Sequence, residues 1–328
     1  MADFNQTLHD KLTHHALQLE RLKAGAFKRY IPILNKIDAV IVGLMALSYG
    51  GTMKQKRDFV VKVRELKTKV YADFEKKLLA ELELLATRQS SFTLEAITGM
   101  LADSMMTKPK PVNVGTIEAR GSKISDQIKH LRDTDIRNTI IAARSAEADA
   151  LTLKEATTRL KGANRKRQAQ ARAVIATTIA AVTSRADNTV FKANSDIIKG
   201  VKLSVVFDNR TTPICIQHSI DDILYPVDDY PMPGFHWNCR TRAIPVVKSW
   251  ANLGANMKRK VPVRQRVSMT GSIPETTTYA GWLKTQPKWI IEDALGKTRA
   301  KLFTGGKYKL DKFIDPTGKF YDLDDLFN

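Results

Sequence analysis

The longest amphipathic pattern in the chain lies between residues 63 and 85. Apolar side chains recur there every three or four positions, at Val63, Leu66, Val70, Phe74, Leu78, Leu82 and Leu85. This spacing places them on one face of an α-helix, while Lys, Arg and Glu occupy the other face. The pattern predicts a long helix with one buried face, and it indicates that the first part of the chain is mostly helical.

Turn-forming residues divide this helical part. "YGGTM" (Tyr49–Met53) and the proline-containing "MMTKPKPVNVG" (Met105–Gly115) predict breaks on either side of the long helix. Helices resume near residue 117, where Ile124, Ile128 and Leu131 share one face.

A further pair of helices follows. "TLKE" at Thr152 is a capping box, and Gly162 is placed to end the short helix that it begins. A longer helix is predicted from about Arg165 to Asn194. Its buried stripe consists of Ile175, Ile179, Val182, Ala186 and Val190.

The pattern changes near residue 200. "VKLSVVFD" (Val201–Asp208) reads as a strand entering a core, and "TRAIPVVKSW" reads as a returning strand after a proline-rich loop. The sequence therefore predicts an α+β fold: a mostly helical N-terminal region, a small α+β Cys/His loop domain and a small C-terminal module. The predicted divisions are a helical region (1–108), a helical connector (109–164), the Cys/His domain (165–250), a basic linker (251–275) and the C-terminal module (276–328).

The charge balance bears on partners, not on fold. The chain of 328 residues has 53 Lys and Arg against 34 Asp and Glu, a formal net charge of +19. Nucleic acid, an anionic membrane surface or an acidic protein would each suit such a surplus. The best apolar run, Ile37–Leu47, is shorter than the roughly 18 residues that span a bilayer, and the N-terminus does not resemble a signal peptide. We therefore expect no membrane partner.

The proline-rich loop holds both cysteines of the chain and two of its six histidines. They form two pairs of the same spacing, Cys215-x2-His218 and His236-x2-Cys239. Two sulfur and two nitrogen ligands suit a tetrahedral zinc site that crosslinks a loop lacking a large core.

The same residues also fit a loop without a metal. The two cysteines can be small buried residues on neighbouring strands, close enough for an adventitious disulfide, and the histidines can bond to backbone or solvent. A catalytic cysteine is disfavoured, since no acidic residue accompanies the Cys-His pairs in a recognisable pattern. The sequence leaves the metal-bound and metal-free interpretations open.

Asp208 is predicted to form a structural turn with the residues that follow it. In "DNRTTP" its carboxylate can accept backbone N–H bonds near Arg210, and Arg240 can clamp it with two parallel hydrogen bonds. The functional alternative makes Asp208 and Asp221 or Asp222 the acids of a nuclease-like site.

The stretch from about Arg172 to Val247 resembles the phage Mu protein F-like family of head morphogenesis (minor head) proteins. The likeness is carried by "ARAVIATTIAAVTSRADNTVF", "VVFDNRTTPIC", "YPVDD" and "PMPGFHWNCRTRAIPV", which match family motifs in order and spacing. Thr241 stands where the family pattern has a further cysteine. The tail segments "YAGWLKTQP" and "LGKTRAKLFTGGKYKLDKF" resemble a module often attached to such proteins.

The resemblance implies a non-enzymatic virion protein, made in the host cytoplasm and built into the head at the portal vertex. Its partners would be the portal, other head proteins and, non-specifically, double-stranded DNA, with several copies around the vertex. It would aid head assembly and DNA packaging or delivery; the alternatives are a DNA-ejection protein and a metal-dependent nuclease carried in the head. The basic residues expected to contact phosphate are Arg165, Lys166, Arg167, Arg172, Lys258, Arg259, Lys260, Arg264 and Arg266.

Overall fold

Five helices form the N-terminal part of the computed structural model, which describes residues 4–98, 106–221, 223–248, 265–274 and 276–326. Helices α1, α3, α4 and α5 pack against one another, and α2 packs against α3 and α5. The helices are α1 (Phe4–Asn35), α2 (Asp38–Ser48), α3 (Met53–Thr98), α4 (Ile124–Ala148) and α5 (Leu153–Ala193). The break predicted at Tyr49–Met53 is confirmed, because it separates α2 from α3.

The predicted apolar stripes form the core of this bundle. Phe74, Leu78 and Leu82 on α3 are at most 1% exposed, and they share a cluster with Ile128 of α4 and Ile175 of α5. The periodicity of the sequence therefore identified the faces along which the helices pack.

Helix α5 is longer than predicted. The capping box at Thr152 is confirmed, since its hydroxyl accepts from the backbone N–H of Glu155 and the Glu155 carboxylate accepts from the N–H of Thr152. Gly162, however, lies inside the helix and does not end it. An internal glycine costs a helix only about 1 kcal/mol, which burial of Leu160 and Asn164 on either side offsets. The predicted boundary between residues 164 and 165 is therefore wrong.

Three two-stranded antiparallel sheets appear in the described residues: β1 (Glu118–Ala119) with β2 (Ser122–Lys123), β3 (Ile198–Ser204) with β4 (Arg242–Val247), and β5 (Gln265–Ser268) with β6 (Gly271–Pro274). The β3–β4 pair confirms the predicted outgoing and returning strands. The loop between them contains a helix that was not predicted, α6 (Pro213–Asp221). The β5–β6 hairpin falls in the predicted linker, so residues 265–274 are structured and that boundary is wrong; residues 251–264 lie outside the described residues.

The C-terminal module shares its core with the Cys/His region. Its helices are α7 (Tyr279–Lys284), α8 (Lys288–Leu295) and α9 (Lys297–Thr304), followed by short 3-10 turns. Tyr279 and Trp282 are buried in one cluster with Phe207, Cys215 and Cys239. The predicted mostly helical region followed by small α+β parts is confirmed, but the last two parts pack as one unit.

A buried ionic cluster ties α2, α3, α4 and α5 together. Lys67 on α3 is 0% exposed and lies 2.6 Å from the carboxylate of Asp135, which is 2% exposed. Arg167 on α5 donates to the Asp38 carboxylate at 2.8 and 2.9 Å and to Asn35. Arg167 is 1% exposed, so its predicted role as a DNA contact is wrong: a buried guanidinium that is bound to the Asp38 carboxylate cannot reach phosphate.

The stretch Gln18–Ser48 is long and apolar enough to cross a membrane by length and composition alone. Its most apolar window of 18 residues has a mean hydropathy of 1.6, and 39% of that window is buried. The apolar run predicted from the sequence, Ile37–Leu47, is only part of this stretch, because Lys36 interrupts the apolar pattern. Helix α1 ends at Asn35 and α2 begins at Asp38, and Leu34, Ile41 and Met45 are buried against the bundle.

Breaking the buried ion pair should destabilise the bundle. We expect Asp135→Asn to lower the free energy of unfolding by about 3–5 kcal/mol, because it leaves the Lys67 ammonium buried without its counter-charge. Urea unfolding followed by circular dichroism would measure this. The control Lys62→Met removes a lysine from the exposed pair with Glu65, whose side chains are more than half exposed. Equal effects of the two substitutions would contradict a structural role for the buried pair.

Candidate metal centre

Three of the four predicted ligands meet at one point. Cys215 lies in the first turn of α6, whereas His236 and Cys239 lie in the loop that leads into β4. The ligand atoms of these three side chains all lie within 4.8 Å of one another. Both cysteines are free thiols, and they are 3% and 0% exposed. The cluster can hold a metal ion with a sulfur, sulfur and nitrogen donor set.

Hydrogen bonds orient the three ligands. The Nδ1 atom of His236 lies 2.9 Å from the carbonyl oxygen of Trp237, and its Nε2 atom lies 3.0 Å from the Cys215 sulfur. A proton on Nδ1 donates to the carbonyl and leaves the Nε2 lone pair directed at the sulfurs, the arrangement that a metal-binding histidine needs. The hydroxyl of Thr241 donates to the Cys215 sulfur at 3.2 Å.

The thiols differ in acidity because they share one proton between them. A hydrogen bond from Cys215, together with His236, lowers the pKa of Cys239 well below its ordinary value. The same hydrogen bond and burial raise the pKa of Cys215. Burial pulls the pKa of His236 down, but the neighbouring Cys239 thiolate outweighs it and raises that pKa. The cluster therefore favours one thiolate, the form that binds metal.

His218 does not join the group, so this part of the predicted ligand set is wrong. Cys215 and His218 lie on helix α6 and not in an irregular loop as the sequence predicted. The imidazole of His218 packs against Phe235, with ring centroids 4.6 Å apart. Contact with an aromatic ring holds it in the apolar surroundings of α6.

The loop is fixed to the bundle through α5. The backbone N–H of Asn238 donates to the hydroxyl of Thr177 at 3.0 Å, and that hydroxyl donates to the carbonyl of Ala173. The sequence marks Thr177 only as part of a motif that resembles the Mu F-like family. Periodicity could not identify its role, because its partner is 61 residues away in the chain.

The turn at Asp208 is formed as predicted. Its carboxylate accepts the backbone N–H of Arg210 at 2.9 Å and two hydrogen bonds from the guanidinium of Arg240, one of them 2.7 Å long. Arg210 itself is 78% exposed, with its guanidinium 3.9 Å from the carboxylate. Burial acts to raise the pKa of Asp208, but Arg240 outweighs it and holds that pKa below its usual value. Asp221 ends α6, and Asp222 lies outside the described residues.

Two cavities adjoin the metal-ligating residues. The smaller, of about 10 Å³, is lined by Cys215, His236 and Thr241 together with turn residues on either side of Asp208, and its volume matches a single water molecule. The larger, of about 330 Å³, is lined by Cys239, Asp208 and Arg240. The smaller cavity therefore has room for one further small ligand on a metal ion.

The basic candidates fall into three groups. Arg165, Lys166 and Arg172 are exposed on α5, where a phosphate can reach them. Arg266 is 5% exposed with its guanidinium 4.7 Å above the ring of Phe207, so its predicted DNA contact is wrong. The remaining candidates, Lys258, Arg259, Lys260 and Arg264, lie outside the described residues.

No family model, curated protein or solved structure matches this chain. The likeness to the Mu F-like proteins therefore rests on the sequence motifs alone.

The Asp208–Arg240 contact should make stability depend on acidity. We expect Asp208→Asn to lower the free energy of unfolding by about 2–3 kcal/mol at pH 7, because it removes a charge-assisted pair. The unfolded carboxyl takes up a proton near pH 4, whereas the folded one stays ionised to lower pH, so the wild type loses this stabilisation as pH falls below about 4. Urea unfolding at several pH values would measure how the difference in unfolding free energy between wild type and Asp208→Asn shrinks as the pH falls.

The matched control is Asp228→Asn, which removes an exposed carboxylate of the same loop region without touching the turn. A stability difference between wild type and Asp208→Asn that stays constant from pH 7 to pH 3 would contradict the ionic clamp.

Proposed function

We propose that this chain is a structural minor head protein of a tailed phage, located at the portal vertex, which aids head assembly and DNA packaging or delivery. The family motifs support the proposal, because they run in order from α5 through β3 and the Cys/His loop to β4. The observation that carries it is the buried Cys215–His236–Cys239 cluster, whose geometry suits a fastener between these elements.

In this proposal the metal is zinc. Two thiolates and one imidazole are ligands that zinc prefers, and the remaining coordination position would be taken by a water in the adjoining cavity. Zinc would stabilise the loop by joining α6 to the segment before β4. It would also relieve the proton sharing between Cys215 and Cys239, since both sulfurs could bind as thiolates.

Burial supports a structural role over an enzymatic one. The Asp208 carboxylate, the candidate acid of a nuclease, is engaged by Arg240 and by the backbone of its own turn. The cavity next to Cys215 and His236 fits one water, and the larger cavity beside Cys239 is lined by Asp208 with its carboxylate already bound to Arg240. These contacts favour a protein that performs no chemistry at this centre.

Metal content would test whether the Cys/His cluster is a structural metal site. We expect the purified protein to bind one zinc ion, and Cys239→Ser to abolish binding and lower the melting temperature, because a ligand and the crosslink are lost together. Elemental analysis and thermal unfolding with and without a chelator would measure both effects. His218→Ala is the matched control, which should retain zinc. Wild-type protein without zinc, and with a melting temperature that a chelator leaves unchanged, would favour the metal-free interpretation.

Contact with DNA would be electrostatic and independent of sequence. The net charge of +19 attracts a polyanion, and Arg165, Lys166 and Arg172 present exposed cations along α5. Inside a filled head such a surface would meet phosphate at high density. An acidic partner protein is the alternative for the same surface.

Salt dependence would test the DNA contact. We expect the combined substitution Arg165→Gln and Lys166→Gln to reduce the slope of log K against log salt by roughly 1.8 for duplex DNA, since each phosphate contact contributes about 0.9. Fluorescence anisotropy over a salt series would measure it. The control replaces two exposed lysines of α3, Lys62 and Lys69, by glutamine and makes the same change in net charge.

Equal slopes in the two double variants would show that α5 does not contact DNA. The head-protein proposal has its own test: mass spectrometry of purified particles of the phage that encodes the chain should find it in few copies. Its absence from mature particles would contradict the proposal whatever the DNA result.

A further inference from the structure

A cavity of about 660 Å³ lies beside the Cys/His loop, where Trp237 forms part of its wall. Its walls come from the β1–β2 hairpin, α4, α5 and the Cys/His loop. Leu131 and Val174 contribute apolar side chains, while Asp126, His130 and Gln170 contribute polar ones. This size and this mixture of walls are typical of a site for a small organic group.

Trp237 gives the cavity an aromatic wall. It stands between the metal ligands His236 and Cys239, and 39% of its surface is exposed. The guanidinium of Arg120 lies 4.3 Å from the centre of its ring, a cation–π contact. Arg120 and Asn238 both have positive φ, 55° and 60°, which non-glycine residues rarely adopt. At Arg120 this conformation belongs to the two-residue turn that joins β1 to β2, and it fixes the position of the guanidinium beside Trp237.

Gln127 joins the β1–β2 hairpin to α4 at the wall of the cavity. It is 8% exposed, and its amide nitrogen donates to the carbonyl oxygens of Ala119 and Ser122. These two bonds hold Arg120, which lies between the two acceptors in the chain, in place beside Trp237. The carbonyl oxygen Oε1 is enclosed by protein, so a molecule in the cavity does not reach it.

Cations lie next to the cavity. Lys166 is exposed on α5 and precedes Ala169 and Gln170, which line the cavity, by three and four residues. Residues at that spacing share a helix face, so Lys166 lies one turn of α5 before the residues that line the cavity. Arg120 lies at the Trp237 wall. A phosphate attached to a bound group can therefore be neutralised from either side.

We propose that this cavity binds a nucleobase, as part of a nucleotide or of a single strand. The base would extend the Arg120–Trp237 stack, while Lys166 or Arg120 binds its phosphate. Stacking suits any base, since every base presents a π face. The proposal does not depend on the head-protein function: it adds a base-binding site to a surface for which the sequence predicted only contacts to duplex phosphates.

The site follows from residues that are distant in sequence. The basic runs of the chain contain no interleaved aromatic residues, which argues against base stacking when the sequence is considered alone. The fold brings Arg120 of the hairpin onto Trp237 of the Cys/His loop. The aromatic and cationic components of a stacking site therefore come together only in three dimensions.

The experiment compares two labelled strands of equal length at physiological salt: oligo-deoxyadenylate and the same backbone without bases. We expect the full-length protein to bind the base-bearing strand about tenfold more tightly, by fluorescence anisotropy. Trp237→Ala should remove this preference, and Trp237→Phe should retain part of it. Trp289→Ala is the matched control, since it removes an indole that is 61% exposed and does not line the cavity.

Competition with free deoxyadenosine monophosphate distinguishes the two sources of the base. Displacement of the strand by the mononucleotide identifies a nucleotide site, and displacement by unlabelled strand alone identifies a single-strand site. Equal affinity of the wild type for the two labelled strands would overturn the proposal. So would a base preference that survives in Trp237→Ala. Circular dichroism and metal content of each variant show that it is folded, and Trp237→Phe serves if the alanine variant is not.

Discussion

Both halves of this protein depend on the burial of helix α5. Every residue from 174 to 184 is buried, so this part of the helix is enclosed on all sides instead of presenting one apolar face. The segment "VIATTIAAVTS" is rich in Ala and Thr, which are small enough for neighbouring elements to approach closely. Thr177 and Thr183 satisfy their buried hydroxyls by donating to carbonyls of the preceding turn. One helix thus supports the bundle and the Cys/His loop.

The elements that the sequence predicted are those with a strong period. The stripe on α3 and the strand before Asp208 each follow a local pattern, which is repeated over enough residues to be recognised. Lys67 shows where this reasoning ends, because it lies four residues after Val63 on the buried face. A lysine at a buried position costs free energy unless a carboxylate pairs with it, and its partner Asp135 is 68 positions away in the sequence. Periodicity cannot predict a pairing between helices, and for the same reason it assigned Arg167 to solvent.

The candidate site was predictable in its residue types and not in its geometry. Spacing suggested two equivalent pairs of ligands, but Cys215 and His218 are on a helix whereas His236 and Cys239 are in a loop. The helix lets His218 turn to the ring of Phe235 instead of the sulfurs. Thr241 stands where the family motif has a further cysteine, and its hydroxyl donates to the Cys215 sulfur. Which residues meet thus depended on secondary structure that a pattern of four residues does not determine.

The small β3–β4 sheet explains why a fastener is needed at this place. Two strands bury too little apolar surface to be stable in water by themselves. One end of this pair packs against Val190 and Phe191 of α5. Past the other end of β3, Phe207 enters the cluster of Tyr279 and Trp282. The loop between the strands reaches these clusters only through a few side chains, among them Cys215 and Val227, and the Asp208–Arg240 pair and the Cys/His centre add two further contacts that hold it. Binding energy at such points adds directly to folding stability, so a metal ion bound at this cluster would stabilise the fold.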